Sequence, residues 1–207
     1  MRQLRQDSLR TFFLVTATIC VFGGFYANRV QQQRRAISFI RSLDEGYIGY
    51  NRRVDDLRIP EWLQHVLGED WFVNVTEVHL GDGITSDELP NVVQYLIRLP
   101  NLRTVYFGDA NVTDQDLQHL TPLTQITHLG LHFPWKNVTG VGIADLTSMD
   151  NIRKLTISGN SINNDGLRYV PQFTSLESLS VGWSQVDDEG LQHLTNCNKL
   201  AHLTLSS

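Results

Sequence analysis

The residues equipped for catalysis or metal binding in this 207-residue chain are seven histidines, two cysteines and the acidic run Asp187-Asp188-Glu189. His128 and His132 lie four positions apart, one turn on a helix but roughly 13 Å along a strand. Zinc–nitrogen bonds of ~2 Å can join the first pair and not the second. Two distant cysteines exclude a four-thiolate zinc site and a disulfide framework. The Asp187 run lacks the spacing and glycine of a calcium loop, and suits the positive end of a helix dipole. Gly140-Val141-Gly142 lacks the strand-to-helix setting of a phosphate loop. Which elements carry these residues decides what they can do.

An internal repeat supplies the elements. From Leu102 the apolar residues run Leu102, Val105, Phe107, Val112, Leu117, Leu120 and Leu123. The same offsets recur at Ile152, Leu155, Ile157, Ile162, Leu167, Val170 and Phe173, and at Leu176, Leu179, Val181, Val186, Leu191, Leu194 and Cys197. Ile126, Leu129 and Leu131 begin an intervening unit whose later anchors (Val138, Ile143, Leu146, Met149) are displaced by two residues. An irregular first unit starts at Val75, Val78 and Leu80, and a last one at Leu200, Leu203 and Leu205. Within a unit the early spacing of two predicts a short strand, and the later spacing of three predicts a helical segment. Successive strands are then parallel, and a unit too small to bury its own apolar face must stack on its neighbours.

Local chemistry agrees with that reading. Thr113 or Asp114 is placed to cap a helix start, with Asp116 in its first turn. Gly166 and Gly190 precede an inward leucine, where a missing Cβ lets the helix approach the strand layer closely.

These units resemble leucine-rich repeats, in particular the ITDxGL class related to the cysteine-containing subtype. The signature stands as Val112-Thr113-Asp114 with Leu117, Ile162-Asn163-Asn164 with Gly166-Leu167, and Val186-Asp187-Asp188 with Gly190-Leu191. Cys197 falls where that subtype often keeps a cysteine. Only Asn160 fills the asparagine-ladder slot, which holds Ala110 and Ser184 in other units. The resemblance covers roughly residues 75–207. It implies an α/β solenoid, a short right-handed horseshoe with parallel strands on its concave face, and a recognition role. With the lead-in included, the chain is similar to membrane-anchored bacterial leucine-rich repeat proteins.

With two strand positions pointing inward, the flanking ones face the concave side. They hold Glu77, Thr104, His128, Lys154, Ser178 and His202 in one row, and His79, Tyr106, Gly130, Thr156, Ser180 and Thr204 in the next. A third row holds Gly81, Gly108, His132, Ser158, Gly182 and Ser206. The histidines are too widely spaced for a shared metal, and no serine or cysteine has a base nearby in this register. No catalytic residue, metal or cofactor is therefore expected. The insertion His132–Asn137 places Phe133 and Trp135 beyond a strand, and Trp183 occupies the equivalent edge two units later. Aromatics on a rigid rim are candidate binding anchors, or else cover the lengthened turn. The candidate partner-binding residues are Tyr106, His128, His132, Phe133, Trp135, Lys154 and Trp183.

The charge is unevenly spread behind the net of −5. Residues 1–58 are net basic, and residues 59–207 hold seven bases against 17 acids. An acidic body argues against a nucleic-acid partner, which needs clustered Lys and Arg. Thr11–Ala27 carries no charge and is bracketed by Arg10 and Arg29, so a single-pass signal-anchor is expected over residues 11–27, with a cleaved signal peptide and a buried core helix as the alternatives. The short N-terminal tail favours the repeats on the extracytoplasmic side.

The expected organisation is a tail and anchor at 1–29, a lead-in helix and N-terminal cap at 30–74, and repeats at 75–207. In the lead-in, Ile37, Ile40 and Leu43 suit an amphipathic helix, Gly46–Tyr50 a strand, and Pro60-Glu61-Trp62 a helix start stopped by Gly68. Trp62, Trp71 and Phe72 are expected on the apolar face of the cap. The function expected is non-enzymatic, membrane-tethered protein recognition. A self-associating envelope protein, joined through the open final strand, is the alternative. An F-box-type substrate adaptor fits less well, since residues 30–74 contain no F-box-like segment.

Overall fold

A computed structural model describes residues 2–43, 46–51, 59–81, 83–132, 138–159, 162–182 and 184–206, the side chains of residues 2–13 and 19 excepted. Seven strands form one sheet in chain order: β1 (Tyr47–Tyr50), β2 (Val75–Leu80), β3 (Thr104–Phe107), β4 (His128–His132), β5 (Lys154–Ser158), β6 (Ser178–Gly182) and β7 (His202–Ser206). β1 runs antiparallel to β2, and every later pair is parallel. The register is continuous: Val78, Val105, Leu129, Leu155, Leu179 and Leu203 stand side by side. All but Leu203 are buried.

The anchors of the repeat pattern form the core. Every apolar anchor from Leu102 to Val181 in the complete units is buried. Burial then fades: Val186, Leu191 and Cys197 are only partly covered, and Leu203 and Leu205 are 45 % and 51 % exposed. Each unit is covered by the next, and nothing stacks on β7 among the described residues.

The helical segments are shorter than an apolar spacing of three suggests. α3 (Leu89–Ile97) in the first unit has 9 residues, while α4 (Ile143–Leu146) and α5 (Asn164–Leu167) have four each and α6 (Asp188–Gln192) has five. The second unit has only a 3-10 segment, Asp114–Leu120. Tight spacing of the units leaves room for about one turn, and 3-10 turns suit such short pieces.

The glycines before the inward leucines do not answer to the strand layer. A Cβ on Gly166 would stand 2.9 Å from Gly140 Cα, and one on Gly190 would stand 2.3 Å from Asn164 Oδ1. Their absent side chains let each helical turn approach the turn of the preceding repeat.

The lead-in helix is longer than expected. α1 is a single helix from Arg2 to Ser42, running through Arg29 without a break. Among the described residues, no helix is long and apolar enough to cross a membrane. The expected span at 11–27 is therefore not a separate element: its helix continues into the polar segment Asn28–Arg35, and Thr11, Phe12, Phe13 and Ile19 are among the side chains not described.

The second half of α1 is fastened to the start of the sheet. Val30, Ala36, Ile37 and Ile40 are buried. Gln33, also buried, donates from Nε2 to Val73 O and accepts from Val75 N–H, which satisfies its amide where water is excluded. Arg34 pairs with Asp70 at 3.0 Å and donates to Leu67 O. Arg29 donates to Asn74 Oδ1, and the Tyr26 hydroxyl donates to Trp71 O. α2 (Glu61–Leu67) begins after Pro60 and ends at Gly68, whose φ of 82° suits glycine. Trp71 and Phe72 are half-buried, but Trp62 is 66 % exposed and belongs to no covering face. It lies on a 7-residue helix with no buried residue.

Candidate functional site

The concave rows form as the strand alternation requires. Glu77, Thr104, His128, Lys154, Ser178 and His202 stand in register, as do His79, Tyr106, Gly130, Thr156, Ser180 and Thr204. At the β1 end these rows carry an aromatic ladder. The Tyr47 ring meets His79 edge-on at 5.2 Å, and His79 lies 4.6 Å from Tyr106. His79 donates from Nε2 to Glu77 Oε1 at 2.6 Å, so the carboxylate fixes the ring that links the two tyrosines.

Gly130 gives Tyr106 its place. A Cβ at Gly130 would fall 1.9 Å from Tyr106 Cδ1, so the phenol lies in the gap left in β4. Beside it is a cavity of about 200 Å³ lined by Tyr106, Gly108, Gly130, His132, Thr156 and Ser158, among others.

The far rim of the cavity is polar. His132 Nδ1 is 2.5 Å from Ser158 Oγ, its register partner on β5, and His132 Nε2 is 3.3 Å from Asp109 Oδ1. Asp109 follows β3 with φ of 22°, in the left-handed region that residues with a Cβ seldom adopt. Its Oδ1 is shielded from water and accepts no hydrogen bond among the described residues. The expectation that no serine has a base nearby is therefore overturned. Adjacent strands in register bring the third concave positions of β4 and β5 into hydrogen-bond range, and the turn after β3 adds the carboxylate.

The other expected site residues are less concentrated. His128 is a register neighbour of Lys154, with Nδ1 at 2.8 Å from Thr127 Oγ1. Burial, and then the Lys154 ammonium, hold the His128 imidazole below its ordinary range, so it is neutral at pH 7. Phe133, Trp135 and Trp183 lie outside the described residues. Tyr106 and His132 flank one cavity, whereas His128 and Lys154 sit in the adjacent row. Among the described residues no group of three His, Cys, Asp or Glu could hold a metal ion. Cys20 is exposed, and Cys197 is half-buried with its thiol held protonated by burial.

The sequence reading missed Asp109, Tyr47 and the pairing of His132 with Ser158. That pairing was readable, since both residues hold the same offset in consecutive units. Asp109 stands in an irregular turn and gave no signal. Tyr47 reaches the site only because β1 pairs antiparallel with β2, in the register Tyr47 opposite His79.

Comparison with known proteins identifies the repeat. Residues 174–194 match the family model described as leucine rich repeat, over β6 and α6. Among solved structures, the leucine-rich-repeat ectodomain of the receptor kinase SOBIR1 from Arabidopsis thaliana is similar at 13 % identity and a TM-score of 0.40, covering 85 % of this chain and 92 % of that one. An internalin, inlF, from Listeria monocytogenes is similar at 17 % identity and a TM-score of 0.31, covering 70 % of this chain and 54 % of the internalin. This chain thus spans about half the length of that internalin. No curated protein matches the sequence. The unit at 174–194 matches a leucine-rich repeat, and the other units stack in register with it.

Proposed function

We propose that this chain is a leucine-rich repeat recognition module that binds a protein partner across its concave face. The observation that carries the reading is the continuous surface from Tyr47 through His79 and Tyr106 to Lys154, with its recess of about 200 Å³ beside Tyr106. Rigid aromatic groups beside a recess make good anchors, because little conformational entropy is lost when they are covered. His128, His132 and Lys154 supply polar contacts around them, and Phe133, Trp135 and Trp183 are further candidate anchors by their place in the repeat pattern.

Residues 30–74 act as the cap that closes the β2 end of the stack. The first half of α1 holds the module at a membrane, with the repeats on the extracytoplasmic side. Leu14, Val15, Val21, Phe22 and Phe25 leave a run of apolar surface uncovered, Phe25 to 72 %, which favours contact with lipid. Capture of a partner from native membranes by the full chain tests the reading. Tyr106→Ala and Lys154→Glu weaken capture at least about tenfold, the scale of one lost anchor, while Gln118→Ala on the helical side leaves it unchanged. Equal capture by all three variants contradicts it.

One observation favours a second reading, self-association through the final strand. Every described residue of β7 is exposed, and Leu203 and Leu205 present apolar side chains there. Light scattering of the full chain in detergent separates the two readings. A dimer dissociated by Leu205→Lys supports self-association, and a monomer rejects it.

A further inference from the structure

We infer that Ser158 is an activated nucleophile, and that the concave cavity takes the acyl group of a carboxylic ester with a stable leaving group. This rests on side chains that the recognition reading does not need in this arrangement. A serine becomes nucleophilic when a base accepts its proton and a third group orients that base. Here His132 Nδ1 is 2.5 Å from Ser158 Oγ, and Asp109 Oδ1 faces Nε2 at 3.3 Å. With the imidazole proton on Nε2, Nδ1 accepts from the serine hydroxyl, and the carboxylate stands 3.3 Å from Nε2 as a neighbouring charge without accepting its hydrogen. The ring nitrogens have exchanged the duties they hold in the familiar hydrolase triad, which is recognised by geometry and role rather than by position.

Two further features fit a reacting site. Asp109 is held at positive φ with a shielded oxygen that accepts no hydrogen bond among the described residues, a costly state that keeps its charge beside the His132 ring. The cavity beside Ser158 is lined by Tyr106, Gly108, Gly130 and Thr156 among others, and the Tyr106 ring fills the gap that Gly130 leaves in β4. The backbone N–H groups of Gly108 and Gly159 are already given to Leu80 O and Gly182 O. They form no oxyanion hole, so the substrate must bring a good leaving group such as an aryl oxide.

In the step itself, Ser158 Oγ attacks the carbonyl carbon while its proton passes to His132 Nδ1. The bond from Oγ to the acyl carbon forms, the bond from that carbon to the leaving oxygen breaks, and His132 returns the proton to the leaving oxygen. Water then attacks the acyl-serine with His132 again taking a proton, which releases the carboxylic acid and restores the hydroxyl. Asp109 is a positioning residue, since it acts only through His132.

The test uses the full chain with a fluorophosphonate probe and p-nitrophenyl acetate, read by intact mass, peptide mapping and p-nitrophenolate release. One adduct at Ser158 is expected, absent in Ser158→Ala and formed at least about 100-fold more slowly in His132→Gln, the usual scale of a general base. Asp109→Asn should lower the maximal labelling rate and leave the half-saturating probe concentration unchanged, whereas a merely structural role would move both. Ser180→Ala, one strand over, should label as the native chain does. Equal urea midpoints show that the variants fold. Labelling of Ser158→Ala at the native rate, or no adduct on a folded native chain, overturns the assignment.

Discussion

The Asp114 carboxylate binds Thr139 of the following repeat, accepting from its hydroxyl at 2.7 Å and from its backbone N–H at 3.2 and 3.3 Å. It also accepts from Gly142 N–H at 3.0 Å. One carboxylate thus holds the irregular turn that replaces the usual helix start in the third unit. Asn164 and Asp187 repeat the device farther along: the Asn164 amide donates to Asp187 Oδ1 and accepts from the Asp187 backbone N–H. The stack is stitched along its turns as well as through its ladder and core.

Asp114→Ala leaves the Thr139 and Gly142 donors without their acceptor in a half-buried turn. A loss of about 1–3 kcal/mol is expected, the usual result of orphaning such donors. Urea unfolding with an unchanged slope checks it.

Leu155→Asp places a carboxylate at a fully buried position in an inner strand, β5. A buried unpaired charge is not tolerated in a core of this kind, and each unit depends on its neighbours. Cooperative unfolding should disappear in a calorimetric scan. An unchanged melting transition would refute the register.

Gly166→Ala forces a methyl to within 2.9 Å of the Gly140 backbone. Unlike a side chain, that neighbour cannot swing aside, so overpacking should lower stability by about 1–3 kcal/mol. Gly130→Ala differs in kind: the clashing atoms belong to the Tyr106 ring. Gly130→Ala should cost less in Tyr106→Ala than in the native chain, and a double-mutant cycle on urea midpoints reads the difference.

The turn carboxylates also make stability depend on pH. Asn164 and then the N–H groups of Glu189 and Gly190 lower the Asp187 pKa. At Asp116 burial raises it, but bonds from Ser86 and from the Thr113 N–H and hydroxyl outweigh that and lower it overall. A depressed folded pKa means the unfolded chain protonates first. Stability is full above the ordinary aspartate value of ~3.9 and is lost as pH falls from there through the folded values. In the double variant Asp116→Asn/Asp187→Asn, the urea midpoint should change less steeply over that window.

How much could be read from the sequence follows from what the repeat constrains. A buried anchor recurs because every unit packs against the same layer, so Leu129, Leu155 and Leu179 were assigned correctly. The strand rows followed from the same anchors, which placed Tyr106, His128, His132 and Lys154 on one face. Features that arise between units did not show. The Gly166 and Gly190 contacts are with the preceding turn, and His132 meets Ser158 only across a strand pair. Nor did the pattern limit helix length: α1 continues through Arg29 because nothing in residues 28–35 breaks a helix. Trp62 was placed in the cap by residue type, while its short helix buries nothing.

Concave-face recognition is tested most directly by site-specific photo-crosslinking of the full chain in membranes of its source. A photoreactive phenylalanine at Tyr106, or at Thr156 across the cavity, should yield one and the same discrete adduct larger than the chain. The same group at Gln118 or Asp188 on the helical side should yield none. Adducts of equal yield from both faces, or no adduct from Tyr106 and Thr156, would contradict recognition through the concave face.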